Sequence, residues 1–224
     1  MTHYFWTGVG SRETPEAVLQ TMTNIAKGLS KGPYILRSGA AAGADQAFEK
    51  GCNPLKKEIF LPYKNFRGHP SSKYKIQSEK AIEWARRAHP YFDKMDPSGF
   101  SYGAHVRNAH QVLGEHCDQP SSFVACWTPD GAENEYDSID IDITGGTRTA
   151  IVIADLNTIP VFNLARPDAL QRLMVFVREQ KLLERSEWYP DPAYLAEIKR
   201  NKVEARKRTK LRSRIVPSIA GLET

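Results

Sequence analysis

Tyr34-Ile35-Leu36-Arg37-Ser38-Gly39-Ala40-Ala41-Ala42-Gly43-Ala44-Asp45 is a short apolar strand candidate that runs straight into a loop of small side chains. A helix is predicted next, over Gln46 to Lys50. A strand that feeds a helix through a glycine-containing turn is half of a βαβ unit. The same order recurs on both sides. Upstream, the aromatic run His3 to Val9 leads through Gly8-Val9-Gly10-Ser11-Arg12 to a helix start at Thr14-Pro15-Glu16, a Thr N-cap followed by Pro at the first helical position. Val18, Leu19, Met22, Ile25, Ala26 and Leu29 then repeat with helical spacing, and the helix should end near Gly32-Pro33.

Downstream, Glu58 to Pro62 is a third strand candidate. Residues 63–100 read as a long excursion with one helix at about 77–88, and a further helix is predicted over Ala104 to Glu115. Ser122 to Trp127 is the clearest buried strand, followed by the acidic loop 130–142. Thr144-Gly145-Gly146-Thr147-Arg148-Thr149 opens an apolar helix, Ala150 to Leu156, and Ile159 to Leu164 is the last strand. This alternation predicts an α/β fold: a Rossmann-like parallel sheet of at least five strands flanked by helices. Residues 165–185 are expected to append a helix, and 196–214 a basic helix or flexible arm.

The 224 residues suit one α/β domain with appendages, and 41% hydrophobic with 25% charged residues is ordinary for a globular chain. Cys52, Cys117 and Cys126 are too few and too scattered for a disulfide framework and argue for a reducing compartment. No signal-like N-terminus and no apolar run of membrane-spanning length is present, so a cytoplasmic protein with no membrane partner is expected. The net charge of +5 is local. Residues 197–214 carry nine Lys/Arg against Glu197 and Glu204, which leaves the remainder slightly acidic. Nucleic acid is thus a possible partner of the tail Lys199 to Arg214, although a solvated or oligomer-bridging helix accounts for it equally.

Three small-residue loops each follow a strand and precede a helix: Gly8 to Arg12, Ser38 to Asp45 and Thr144 to Thr149. Glycine uncovers the backbone, and a helix N-terminus offers N–H donors to an anion. Dinucleotide binding of the ordinary type is disfavoured, because Glu13 stands where G-x-G-x-x-G needs its third glycine and Arg37-Ser38 replace the ribose-binding acid. The G-x-x-x-x-G-K-[ST] phosphate loop is absent. Arg12, Arg107 and Arg148 are candidate phosphate clamps. Trp127 is either a base-stacking ring or a core aromatic. Asp45 is either a site carboxylate or a helix cap. His105, His110, His116 and Cys117 match no common zinc spacing, and neither metal nor cofactor is expected. The acidic loop reads as a solvated insertion, or else a lid or a Mg²⁺ contact.

Gly10-Ser11-Arg12, the loop Ser38 to Asp45, Trp127-Thr128-Pro129-Asp130-Gly131 and Gly145-Gly146-Thr147 together resemble the SLOG superfamily, most closely the small DprA-like proteins common in phages. The resemblance covers about residues 4–165. It implies a Rossmann-like nucleotide-binding domain over 1–165, with 166–224 as a helical extension carrying the basic tail. It also implies a nucleotide-derived or nucleic-acid ligand, and the host cytoplasm as location if phage-encoded. The Lonely Guy phosphoribohydrolases of the same superfamily carry Pro-Gly-Gly-x-Gly-Thr-x-Glu. Here Arg148 falls at the next glycine and Ile151 at the glutamate, whereas Arg107 matches their helix arginine.

The expected ligand-binding set is Gly10, Ser11, Arg12, Ser38, Gly39, Gly43, Asp45, Arg107, Asn108, Trp127, Thr128, Gly145, Gly146, Thr147 and Thr149. Three functions compete: capture of a nucleotide or nucleotide-derived signal by a homo-oligomeric binding protein, nucleotide N-glycosidase activity, and DprA-like binding of single-stranded nucleic acid.

Overall fold

A computed structural model describes residues 3–74, 77–137 and 140–179. Five strands, β1 (Tyr4–Gly8), β2 (Tyr34–Ser38), β3 (Lys57–Ile59), β4 (Val124–Cys126) and β5 (Val161–Asn163), form one sheet in the order β3-β2-β1-β4-β5. Every pairing is parallel. Seven α-helices accompany it among the described residues: α1 (Glu16–Leu29), α2 (Ala44–Gly51), α3 (Glu79–Ala88), α4 (Phe100–Leu113), α5 (Ile141–Thr144), α6 (Thr147–Leu156) and α7 (Ala169–Glu179). None is long and apolar enough to cross a membrane.

The strands are buried on both faces, and their side chains divide by the period of two. Phe123 and Ala125 pack with Trp6, Leu36 and Phe162 against α1, α2 and α7. Val124 and Cys126 pack with Val161 against α3, α4 and α6. Phe123 is the aromatic hub of the first layer. Its ring stacks on Trp6 at 5.7 Å between centroids and meets Tyr34, Phe162 and Phe176 edge-on.

The chain departs from the sequence expectation at several boundaries. Thr14 does not cap α1. Its hydroxyl donates back to Ser11 O at 2.7 Å, and Pro15 occupies the cap position. Helix α4 begins four residues before Ala104, at Phe100 with Gly99 as its cap, and Gly103 lies inside it, where a Cβ would approach Pro62 O to 3.3 Å. Helix α6 begins at Thr147 rather than Ala150, and the separate turn α5 precedes it. The predicted strand Ser122 to Trp127 shortens to β4, yet its hydrogen bonds continue: Ser122 N donates to Phe5 O, and Ser11 N to Trp127 O. The appended helix is described as far as Glu179, and the tail 196–214 lies outside the described residues.

Phe123→Ala should lower unfolding stability by about 3–5 kcal/mol, because it empties a fully enclosed aromatic site. Urea denaturation checks this, with a lower midpoint at unchanged slope.

Candidate functional site

The chain reverses its direction across the sheet between β1 and β4: β2 and β3 lie on one side, β4 and β5 on the other. The carboxyl ends of strands at such a switch point leave a crevice. A cleft of about 520 Å³ occupies it here. Its walls come from the β1–α1 loop, the β2–α2 loop, one face of α4 and the α5–α6 turn.

Close backbone contacts hold the first two loops together. A Cβ on Gly10 would lie 2.7 Å from that of Ala44, and one on Gly43, at φ +78°, would lie 2.6 Å from Ser11 O. Ser38 Oγ donates to Gly8 O at 2.7 Å. Ser11 and Arg12 are thereby presented to the cleft, with Arg12 exposed at its rim.

Helix α4 supplies the floor. His105, Arg107, Asn108 and Gln111 all line the cleft. The Arg107 guanidinium crosses the β2–α2 loop where a Cβ on Gly39 would sit only 1.3 Å from Nη1. It pairs with Asp45 Oδ2 at 3.4 Å, and the same oxygen accepts from Gly39 N at 3.1 Å and from Gln111 Nε2 at 3.5 Å. Asp45 thus fastens its own loop from within the first turn of α2, where Gly43 holds the cap position. Arg107 Nε and Gln111 Oε1 are buried without a hydrogen-bond partner among the described residues.

The remaining wall is open. A Cβ at Gly145, φ +62°, or at Gly146 would meet nothing within 4 Å. No side chain caps α6. Asn108 Nδ2 donates to Gly146 O at 2.9 Å and fixes the turn. Thr147 lines the cleft. Thr149 is buried behind it and shares a 2.7 Å hydrogen bond with His105 Nδ1.

Burial raises the Asp45 carboxyl to about 6, against the pull of Arg107. Burial, with His89 and Arg107 nearby, pulls His105 down to about 4, so its imidazole is neutral at neutral pH. His89 and His105 stack at 4.4 Å between ring centroids.

Of the expected residues, Gly10, Ser11, Arg12, Asp45, Arg107, Asn108, Gly145, Gly146 and Thr147 line the cleft. Ser38, Gly39, Gly43 and Thr149 lie behind its wall as braces. Three expectations are corrected. Arg148 turns away and donates to Ala88 O at 2.5 Å. The Trp127 side chain, partly buried, packs against the first core layer and does not line the cleft. Thr128 is fully buried and hydrogen-bonds Asn163 and Asp130. The acidic loop is not merely solvated: Glu133 pairs with Arg172 at 2.6 Å and accepts from Asn163 N, and Asp137 pairs with Arg166. Asp142 reaches the cleft.

Sequence reading missed His105, Gln111, Phe66, Arg67 and Phe100 as cleft residues. The spacing of 104, 105, 107, 108 and 111 marks one helix face and was the available signal. Phe66 and Arg67 belong to the irregular excursion, which carries no periodicity. Among the described residues no three His, Cys, Asp or Glu side chains are placed to hold a metal ion. Comparison with protein-family models, curated proteins and solved structures returned no match.

Two opposite pH dependences follow from the shifted groups. Unfolded His105 takes a proton near its ordinary 6.5 and the folded one only near 4, so it removes stability as pH falls between these values, about 3 kcal/mol in full. Folded Asp45 takes its proton near 6 and the unfolded one near 3.8, so it adds stability over that descent. Urea titrations from pH 7 to 4 should therefore show a shallower decline for His105→Gln and a steeper one for Asp45→Asn than for the parent chain.

Proposed function

We propose that this chain binds a nucleotide or nucleotide-derived phosphate ligand in the cleft and captures it without cleaving it. The observation that carries the reading is the convergence at one strand edge of Arg12, Arg107 and the uncovered Gly145-Gly146 turn at the uncapped start of α6. Backbone N–H groups at a helix start and guanidinium groups are the donors that phosphate oxygens accept best. The cleft volume falls within the roughly 300–1,000 Å³ usual for small-ligand sites. The buried, unpaired Arg107 Nε adds a donor on the cleft floor.

Capture is favoured over hydrolysis by Ile151. It stands at the position of the catalytic glutamate in the Lonely Guy pattern and is buried in the second core layer. N-glycosidic cleavage would then have to draw on another cleft carboxylate, such as Asp45, which already holds the β2–α2 loop, or Asp142 of the acidic loop. The nucleic-acid reading rests on residues 197–214, outside the described structure.

Calorimetry with nucleoside monophosphates tests the proposal. The parent chain should bind, and incubation should release no free base. Arg12→Ala should weaken binding about tenfold, the loss of one charge-assisted contact of about 1.5 kcal/mol, with stability unchanged. Gly145→Val should abolish binding. Gly146→Ala, whose φ of −60° suits any residue, should weaken it without altering the melting temperature. Equal binding by both glycine variants refutes the turn as the anion site, and free base in the incubation mixture replaces capture with hydrolysis.

A further inference from the structure

At the mouth of the cleft three aromatic rings form a block. Phe66 and Phe100 stack at 5.8 Å with 26° between planes, and Tyr63 meets both edge-on at 5.3 and 6.3 Å. Phe100 is 53% exposed and Tyr63 45%, whereas Phe66 is buried. Phe66 and Phe100 line the same cleft as Arg12 and the Gly145-Gly146 turn. The exposed face of Phe100, backed by the stacked Phe66 ring, is a flat apolar surface that water solvates poorly, at the edge of a cleft that also carries many polar groups.

The block is held at a conformational cost. Asn65 and Arg67 both adopt left-handed backbone conformations, φ +58° and +52°; asparagine tolerates this region, whereas a long side chain such as that of Arg67 is disfavoured there. Gly68 N donates to Asn65 O at 3.0 Å and His69 N to Phe66 O at 3.0 Å, closing the turn. His69 Nε2 hydrogen-bonds Glu49 at 2.7 Å and ties it to α2. Below, Phe66 packs with Ala40, Ile59 and Leu61, so the block rests on the β2–α2 loop that also lines the cleft. The strained turn sets Phe66 beneath Phe100 and places Arg67 on the cleft wall.

The geometry points to Phe100, backed by Phe66, as the platform on which the base of a mononucleotide stacks, so that the cleft selects nucleotides over sugar phosphates. This rests on the proposed function, because the phosphate end supplies the anchor that brings the base to the ring. Stacking of a base on an aromatic side chain changes affinity by about fivefold or more, whichever base is present.

The test is calorimetry of the full chain and of Phe100→Ala with AMP, UMP, ribose 5-phosphate and a short single-stranded oligonucleotide. Phe100 is exposed, so the variant keeps the fold, as an unchanged melting temperature will show. The expected result is that AMP and UMP bind the parent chain at least about fivefold tighter than ribose 5-phosphate, and that Phe100→Ala removes the difference while leaving ribose 5-phosphate unchanged. If ribose 5-phosphate binds as tightly as the nucleotides, or if Phe100→Ala affects all of them alike, the platform is refuted and the phosphate site survives. If none binds, both fall. If the oligonucleotide binds tighter than AMP and loses that margin in Phe100→Ala, the base belongs to a strand and the mononucleotide assignment is overturned.

Discussion

The cleft depends on one buried ion pair, Arg107 to Asp45. Arg107 rises from α4 on one face of the sheet, and Asp45 from α2 on the other. They meet beyond the strand ends, where the sheet order reverses and no strand separates the two layers. Both charges are almost wholly shielded from water. The carboxyl responds with a raised pKa, because desolvation outweighs the attraction of its partner. Such a pair contributes little net stability, yet losing one member strands the other in a medium that cannot solvate it. Its main consequence is positional: it aligns the β2–α2 loop with the α4 face.

Glycine makes that alignment possible. The guanidinium occupies the space a side chain on Gly39 would take, so the loop and the arginine are two halves of one fit. Arg107 Nε and Gln111 Oε1 remain unpaired beside it. A buried unpaired polar atom costs about 1–3 kcal/mol, so these two atoms are a local cost in stability at the cleft floor. The braces around them, Ser38 to Gly8 and Asn108 to Gly146, hold the surrounding backbone in register.

The aromatic block at the mouth follows another logic. Its rings sit on an irregular segment whose backbone is strained at Arg67, and contact with Ala40 and Glu49 keeps it in place. Polar groups line one part of the cleft and flat apolar rings another, an asymmetry that suits an amphipathic ligand.

Much of this was written in local sequence. The alternation of strand and helix patterns determined the parallel α/β class. Two of the glycine loops, after β1 and β2, stand at strand ends and marked the open edge of the sheet, because tight βα turns need small residues. The third, Gly145-Gly146, follows the helical turn α5 rather than a strand, and only the fold brings it to that edge. Tertiary structure alone decided which residues share the cleft. Arg148 and Trp127 belong to the same motifs as true cleft residues, but a helix rotates its side chains by about 100° per residue and a strand alternates them, so neighbours in sequence part company in space. Arg148 finds Ala88 O, and Trp127 finds the first core layer. Conversely, Phe66 and Phe100 are 34 positions apart and stack. No periodic pattern records such a meeting, because it depends on how the excursion between β3 and α4 folds against the loop at Ala40.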